Sequence, residues 1–165
     1  MKKLSQKGIS KKELLDAMQA ARANDVNWKE GRTFSLVYYA GEELSNVAKE
    51  AYNLYFHENG LNPMAFQSLR KFETEVVSMT SDLLHGDEKV VGSLTSGGSE
   101  SILMAVKAYR DFARKMKPHI TEPEILIPNT VHAAFEKAAH YFGVKAIRIP
   151  VNDQYEVDVE KMREA

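Results

Sequence analysis

Val90-Val91-Gly92-Ser93-Leu94-Thr95-Ser96-Gly97-Gly98-Ser99-Glu100-Ser101 is the stretch on which the fold turns. An apolar run passes into small hydroxyl and glycine residues, and a long helical pattern follows. A strand over 90–94, a tight turn and a helix over about 99–117 make the opening of a βαβ unit. Glycines in such a turn let the backbone come close to a ligand, and hydroxyls donate hydrogen bonds. The free N–H groups and positive dipole end of the helix favour a phosphate. An ordinary strand-to-helix turn uses Gly and Ser for capping alone. The pattern is neither a P-loop nor G-x-G-x-x-G, so both readings stand on these residues.

The alternation continues downstream. Residues 124–128 predict a second strand and 145–150 a third. Between them 131–142 reads as a helix with Ala134, Phe135, Ala138 and Phe142 inward and Gly143 at its end. Asp158 caps a last helix. Strands alternating with helices imply a parallel sheet. His132 falls at the start of the second of these helices, just beyond the end of a strand. That edge of an open α/β sheet is where ligands bind. A capping or solvent-exposed histidine would occupy the same place. His140 reads as a surface residue of the same helix.

Upstream the style is helical. Ser10 and Glu13 form a capping box ahead of Leu14, Leu15, Met18 and Ala21, and Asn24-Asp25 ends that helix. Residues 28–39 read as an irregular, aromatic-rich loop. A helix over 42–57 carries Leu44, Val47, Ala48, Ala51 and Tyr55 on one stripe. Ser68 reads as the cap of a third helix, with Leu69, Phe72, Val76, Met79 and Leu83 inward and Gly86 closing it. The expected division is therefore a helical segment over 1–86 and the start of a larger α/β domain over 87–165. Tyr38 and Tyr39 could line a pocket or pack their loop onto a core. Asn59 and Asn62 read first as turn residues. Arg70 and Lys71, early on their helix, oppose its dipole, which points to an anion or carboxylate partner or simply to solvation.

Composition removes several classes of function. The net charge of −1 gives no general pull toward nucleic acid or an anionic membrane surface. No apolar run reaches the ~18 residues of a membrane span. The start, Met1-Lys2-Lys3-Leu4-Ser5-Gln6-Lys7, is basic but lacks the apolar centre of a signal peptide, so the cytoplasm is the expected compartment. With no cysteine there is no disulfide, thiolate nucleophile or cysteine metal site. His132 and His140, about 12 Å apart along a helix, are too distant to share a metal ion, and no metal site is expected.

Thr95-Ser96-Gly97-Gly98-Ser99-Glu100-Ser101-Ile102-Leu103-Met104-Ala105-Val106-Lys107-Ala108-Tyr109-Arg110-Asp111 closely resembles the pyridoxal-phosphate-dependent sphingosine-1-phosphate lyases, relatives of the group II amino-acid decarboxylases. The likeness continues through Pro123-Glu124-Ile125, through Val131-His132-Ala133-Ala134-Phe135-Glu136-Lys137-Ala138-Ala139-His140-Tyr141-Phe142-Gly143, and through Val157-Asp158-Val159 and Met162-Arg163. Upstream it takes in Phe66-Gln67-Ser68-Leu69-Arg70-Lys71-Phe72-Glu73-Thr74-Glu75-Val76-Val77, and Val37-Tyr38 with Gly41-Glu42-Glu43.

The resemblance implies an α/β architecture, the N-terminal part of the type I fold of pyridoxal-phosphate-dependent transferases. It implies a homodimer with active sites at the interface. Ser96, Gly97, Gly98 and Ser99 would hold the phosphate of pyridoxal 5'-phosphate, and His132 would stack on its pyridine ring. Tyr38, Asn59 and Asn62 match positions near a small phosphorylated amino substrate, with Tyr38 and His132 in the catalytic set. The reaction implied is retro-aldol cleavage of a phosphorylated long-chain amino alcohol to a fatty aldehyde and phosphoethanolamine.

Two departures qualify this. Asn62 stands where relatives carry a histidine; it can donate a hydrogen bond but carries no charge. The family's cofactor-binding Asp and the lysine of its His-Lys motif do not occur here, and Lys107 and Lys137 lie within helices. The family's sheet also places strands between the first one here and the other two. The expectation is the N-terminal portion of a longer enzyme, with these residues inactive alone. An amino-acid decarboxylase is the alternative within the cofactor class; a non-catalytic fragment or binding module is the alternative outside it.

Overall fold

The computed structural model describes residues 7–34 and 36–165. The basic start over 1–6 and Ser35, within the aromatic loop, lie outside the described residues. The chain divides into two units, Met1–Glu58 and Asn59–Ala165.

The first unit holds α1 (Lys11–Ala21) and α2 (Glu42–Leu54). The capping box forms as expected: Ser10 Oγ accepts from the Glu13 N–H at 3.2 Å, and the Ser10 N–H donates to Glu13 Oε2 at 2.8 Å. Between the helices a 3-10 turn, Trp28–Glu30, opens the irregular loop. The Trp28 and Tyr39 rings meet edge to face at 5.4 Å. Lys29 lies over both rings and pairs with Glu42. That ammonium, and then the Tyr39 hydroxyl, hold the Glu42 carboxyl below its usual range. α2 is one turn shorter than expected, with Tyr55 as its C-cap. None of the described residues of this unit is buried.

The second unit holds α3 (Gln67–Leu83), α4 (Gly98–Met116), β1 (Glu124–Pro128), α5 (Ala133–Phe142), β2 (Lys145–Ile149) and α6 (Val159–Glu164). β1 and β2 are parallel, in register from Glu124 opposite Lys145 to Pro128 opposite Ile149, with α5 as the crossover. The core is Val106 of α4, Ile127 of β1, Ala134, Ala138 and Ala139 of α5, and Ile149 of β2. Three alanines on one side of α5 let neighbouring backbone approach closely. Phe135 and Phe142, expected inward, are half-buried. Gly143 ends α5 in the left-handed conformation at φ 62°, where glycine carries no Cβ penalty. Asp158 caps α6, its Oδ1 accepting from the Lys161 N–H at 3.1 Å.

Two local expectations are corrected. α3 begins at Gln67 with Phe66 as its N-cap, so Ser68 lies inside the first turn. α3 ends in a Schellman arrangement: the Gly86 N–H donates to the Ser81 carbonyl at 2.8 Å and the His85 N–H to that of Asp82 at 3.0 Å. The left-handed residue there is His85, at φ 59°, with Gly86 one position later. More consequentially, residues 90–94 form no strand. They share no ladder with any other described segment, and Val91 is 89% exposed. A strand exists only with a neighbour to share its N–H and C=O groups. The segment instead leans on α3. The Leu94 N–H donates to Glu73 Oε1 at 2.9 Å, and a Cβ at Gly92 would come within 3.1 Å of Val77 Cγ1.

Candidate active site

The 95–101 turn starts α4. Gly97 is the N-cap and has no side chain to offer, so the first helical N–H groups are not capped in the usual way. The N–H groups of Gly98, Ser99 and Glu100, and the Ser99 hydroxyl, have no partner among the described residues. A Cβ built on Gly97 or Gly98 meets nothing within 4 Å, so open space borders these donors. Unsatisfied N–H groups at the positive end of a 19-residue helix, facing open space, suit a phosphate.

Side chains brace the turn from both flanks. Thr95 Oγ1 donates to the Gly97 carbonyl at 3.1 Å and lies 2.7 Å from Ser101 Oγ. The Ser96 N–H and hydroxyl both donate to Glu100 Oε2 at 2.7 Å. These two bonds hold the Glu100 carboxyl below its usual range, the hydroxyl contributing first. Glu100 and Glu73 were not singled out as site residues in the sequence. An acid at the third helical position is a generic capping signal, and nothing local marks a carboxylate 21 positions away as the partner of Leu94.

His132 is the N-cap of α5, as its position predicted. Its Nδ1 accepts from the Ala134 N–H at 3.1 Å, which places the imidazole hydrogen on Nε2. The ring is otherwise exposed. The Asn129 N–H donates to the Ile149 carbonyl at 2.9 Å, tying the loop before His132 to the end of β2. Arg110, in the second half of α4, donates to the Phe142 carbonyl at the end of α5 at 3.0 Å. Phe135, in the first turn of α5, shares an apolar groove with Ala105 and Val106, earlier on α4. α4 and α5 thus pack against each other.

Asn59 and Asn62 are turn residues in the structure. Asn59 Oδ1 accepts from the Leu61 N–H at 3.0 Å, and Asn62 Oδ1 from those of Met64 and Ala65 at 3.2 Å. Both amide nitrogens remain as donors. Lys71 pairs with Glu75 at 3.7 Å, a carboxylate partner on its own helix. Tyr38 belongs to the first unit; its side chain is fully exposed, while Tyr39 beside it packs against Trp28. No cluster of three or more metal-ligating side chains occurs among the described residues, and no helix there is long and apolar enough to cross a membrane.

No protein-family model matches this chain. A sphingosine-1-phosphate lyase of Dictyostelium discoideum is 45% identical over 161 residues, 96% of this chain and 30% of its own length. The structure of a Burkholderia pseudomallei sphingosine-1-phosphate lyase superposes on 100% of this chain with a TM-score of 0.88 and 34% identity, and 40% of that chain is covered. A Lactobacillus brevis glutamate decarboxylase shares the fold, with a TM-score of 0.73 at 20% identity over 99% of this chain. The expected α/β class and its placement within a longer fold are borne out. The chain spans about 30% of the length of the Dictyostelium lyase, one of several curated relatives that it matches. In sequence and in fold, these 165 residues are similar to part of a sphingosine-1-phosphate lyase.

Proposed function

We propose that this chain is the phosphate-binding part of a pyridoxal-phosphate-dependent lyase that cleaves a phosphorylated long-chain amino alcohol. The supporting observation is the run of unsatisfied N–H groups at Gly98, Ser99 and Glu100 beneath open space at Gly97 and Gly98. In this reading Ser96, Gly97, Gly98 and Ser99 form the loop around the cofactor phosphate: the N–H groups of Gly98 and Ser99 and the Ser99 hydroxyl donate to it, while the N–H and hydroxyl of Ser96 are given to Glu100. When bound, the cofactor ring supplies an electron sink for carbon–carbon cleavage. His132 lays its ring against the pyridine, held in place by the bond from the Ala134 N–H. Its Nε2–H faces outward as a donor. Asn59 and Asn62 offer amide donors to a substrate phosphate, and Tyr38 an exposed phenol. The lysine that would tether the cofactor is supplied from outside these 165 residues, which are inactive alone. The working enzyme in this reading is a cytoplasmic homodimer, with 1–86 as its helical N-terminal segment and 87–165 as the start of its large domain.

A second reading, an amino-acid decarboxylase, is favoured by one residue. Asn62 commits its oxygen to the turn and brings no positive charge to a substrate phosphate.

The test uses 4-deoxypyridoxine 5'-phosphate, which lacks the aldehyde and so cannot react with lysines. The chain should bind it reversibly, and Ser99→Ala should weaken binding several-fold. Unchanged affinity in Ser99→Ala would remove the site assignment. Borohydride treatment of the chain with pyridoxal phosphate should fix no stoichiometric adduct at a single lysine; such an adduct would overturn the inactive-fragment reading.

A further inference from the structure

The turn that would hold the phosphate has no strand behind it. Residues 90–94 share no strand ladder with any other described segment, and a Cβ at Gly97 or Gly98 would meet nothing within 4 Å. Yet the turn is fixed on both flanks by carboxylates from two helices. Glu73 of α3 takes the Leu94 N–H at 2.9 Å. Glu100 of α4 takes both the N–H and the hydroxyl of Ser96 at 2.7 Å. The Thr95–Ser101 hydroxyl contact at 2.7 Å closes the loop between them.

We infer that Glu100 is the positioning residue of the anion site: it clamps Ser96 so that the turn presents the N–H groups of Gly98 and Ser99, and not that of Ser96, to a phosphate. This rests on the phosphate-binding reading above. The physical case is one of competition among donors. A helix start offers several N–H groups to whatever acceptor is near. With Gly97 unable to cap, a loose turn could fold its own carbonyl or hydroxyl oxygens onto Gly98 and Ser99 and satisfy them internally. Two charge-assisted bonds to one carboxylate oxygen hold Ser96 back from that collapse. Glu100 can do this because the third helical position points back over the turn, as in a capping box, but here it reaches one residue beyond the N-cap.

Glu100 bears a negative charge beside a site for a dianion. Its charge opposes the ligand while its oxygen organises the turn. Geometry and charge can therefore be separated by substitution. Glu100→Gln keeps an oxygen for the Ser96 N–H and removes the charge. Glu100→Ala removes both.

Two measurements decide it, both on the full chain. The first is hydrogen exchange at the Ser96 amide without ligand. Exchange should accelerate at least five-fold in Glu100→Ala and stay within two-fold of the parent in Glu100→Gln. The second is affinity for 4-deoxypyridoxine 5'-phosphate, with 4-deoxypyridoxine as the phosphate-free control. Glu100→Ala should weaken the phosphate form about ten-fold and leave the control unchanged, and Glu100→Gln should bind at least as well as the parent. If Ser96 exchange does not respond to Glu100→Ala, the clamp is overturned. If exchange responds but phosphate affinity falls equally in Gln and Ala, the role in presenting donors is overturned. If Ser99→Ala leaves affinity unchanged, the phosphate-site reading itself fails. Loss in Ser99→Ala alone overturns only the clamp.

Discussion

Replacing His132 separates what its ring does for the fold from what it does for a ligand. Its Nδ1 accepts the Ala134 N–H at 3.1 Å, making it the side-chain cap of α5. The ring is exposed, so His132→Ala removes little packing and the cost is the lost cap. Loss of a side-chain N-cap costs about 1 kcal/mol. The effect reaches the core, because α5 carries Ala134, Ala138 and Ala139, three of the six residues that are buried among those described. In a domain this size about 1 kcal/mol lowers Tm by roughly 2–4 °C. Asn is among the best N-caps, so His132→Asn should recover most of that loss. The assay is urea unfolding followed by far-UV circular dichroism, with deuterium exchange at the Ala134 amide as the local report. Affinity for 4-deoxypyridoxine 5'-phosphate should behave differently. Both variants lose the ring, and a stacked aromatic pair is worth about 0.5–1.5 kcal/mol, so both should bind roughly 2–10-fold more weakly. His132→Asn as unstable as His132→Ala would refute the capping role. Affinity restored by Asn would refute stacking.

Three further outcomes follow from local geometry. Arg110 donates to the Phe142 carbonyl at 3.0 Å and lies 5.3 Å from the Phe142 ring centroid, so Arg110→Met should lower stability by about 2 kcal/mol in chemical denaturation, with Arg110→Lys recovering only part. His85 holds the left-handed position after α3 at φ 59°; His85→Gly should raise stability by about 0.5–1 kcal/mol, and a decrease would mean that its side chain makes a contact that matters. The Asp158 carboxyl is held below its ordinary value, first by its bonds from Lys161. A depressed folded value means stability that is present above the unfolded carboxylate range, ~3.9, and lost as pH falls through the folded one. Asp158→Asn should therefore flatten the acid limb of a Tm-against-pH curve below about pH 4; an unchanged limb would show that Asp158 does not contribute to it.

Sequence alone determined the elements whose signals are local. The Ser10–Glu13 box, the Gly143 terminus and the Asp158 cap depend on groups within a turn or two, and all appear where expected. The stripes of α1, α2 and α3 do not: Phe72, Val76, Met79 and Leu83, expected inward, are exposed, because a periodic face is buried only where another element covers it. The start of α4 and the place of His132 beyond β1 were legible for the same reason, and so was the likeness to known lyases. Tertiary structure decided what depends on distant partners. Residues 90–94 have a strand's composition but no ladder, because the N–H and C=O groups of a strand must be met by another segment. Their anchor is Glu73, 21 positions from Leu94, and no periodicity marks such a pair. Glu100 is visible in the sequence as an acid near a helix start. Only the folded turn shows that it takes both donors of Ser96 and leaves those of Gly98 and Ser99 free, because an acceptor's partner is set by where the backbone places competing N–H groups.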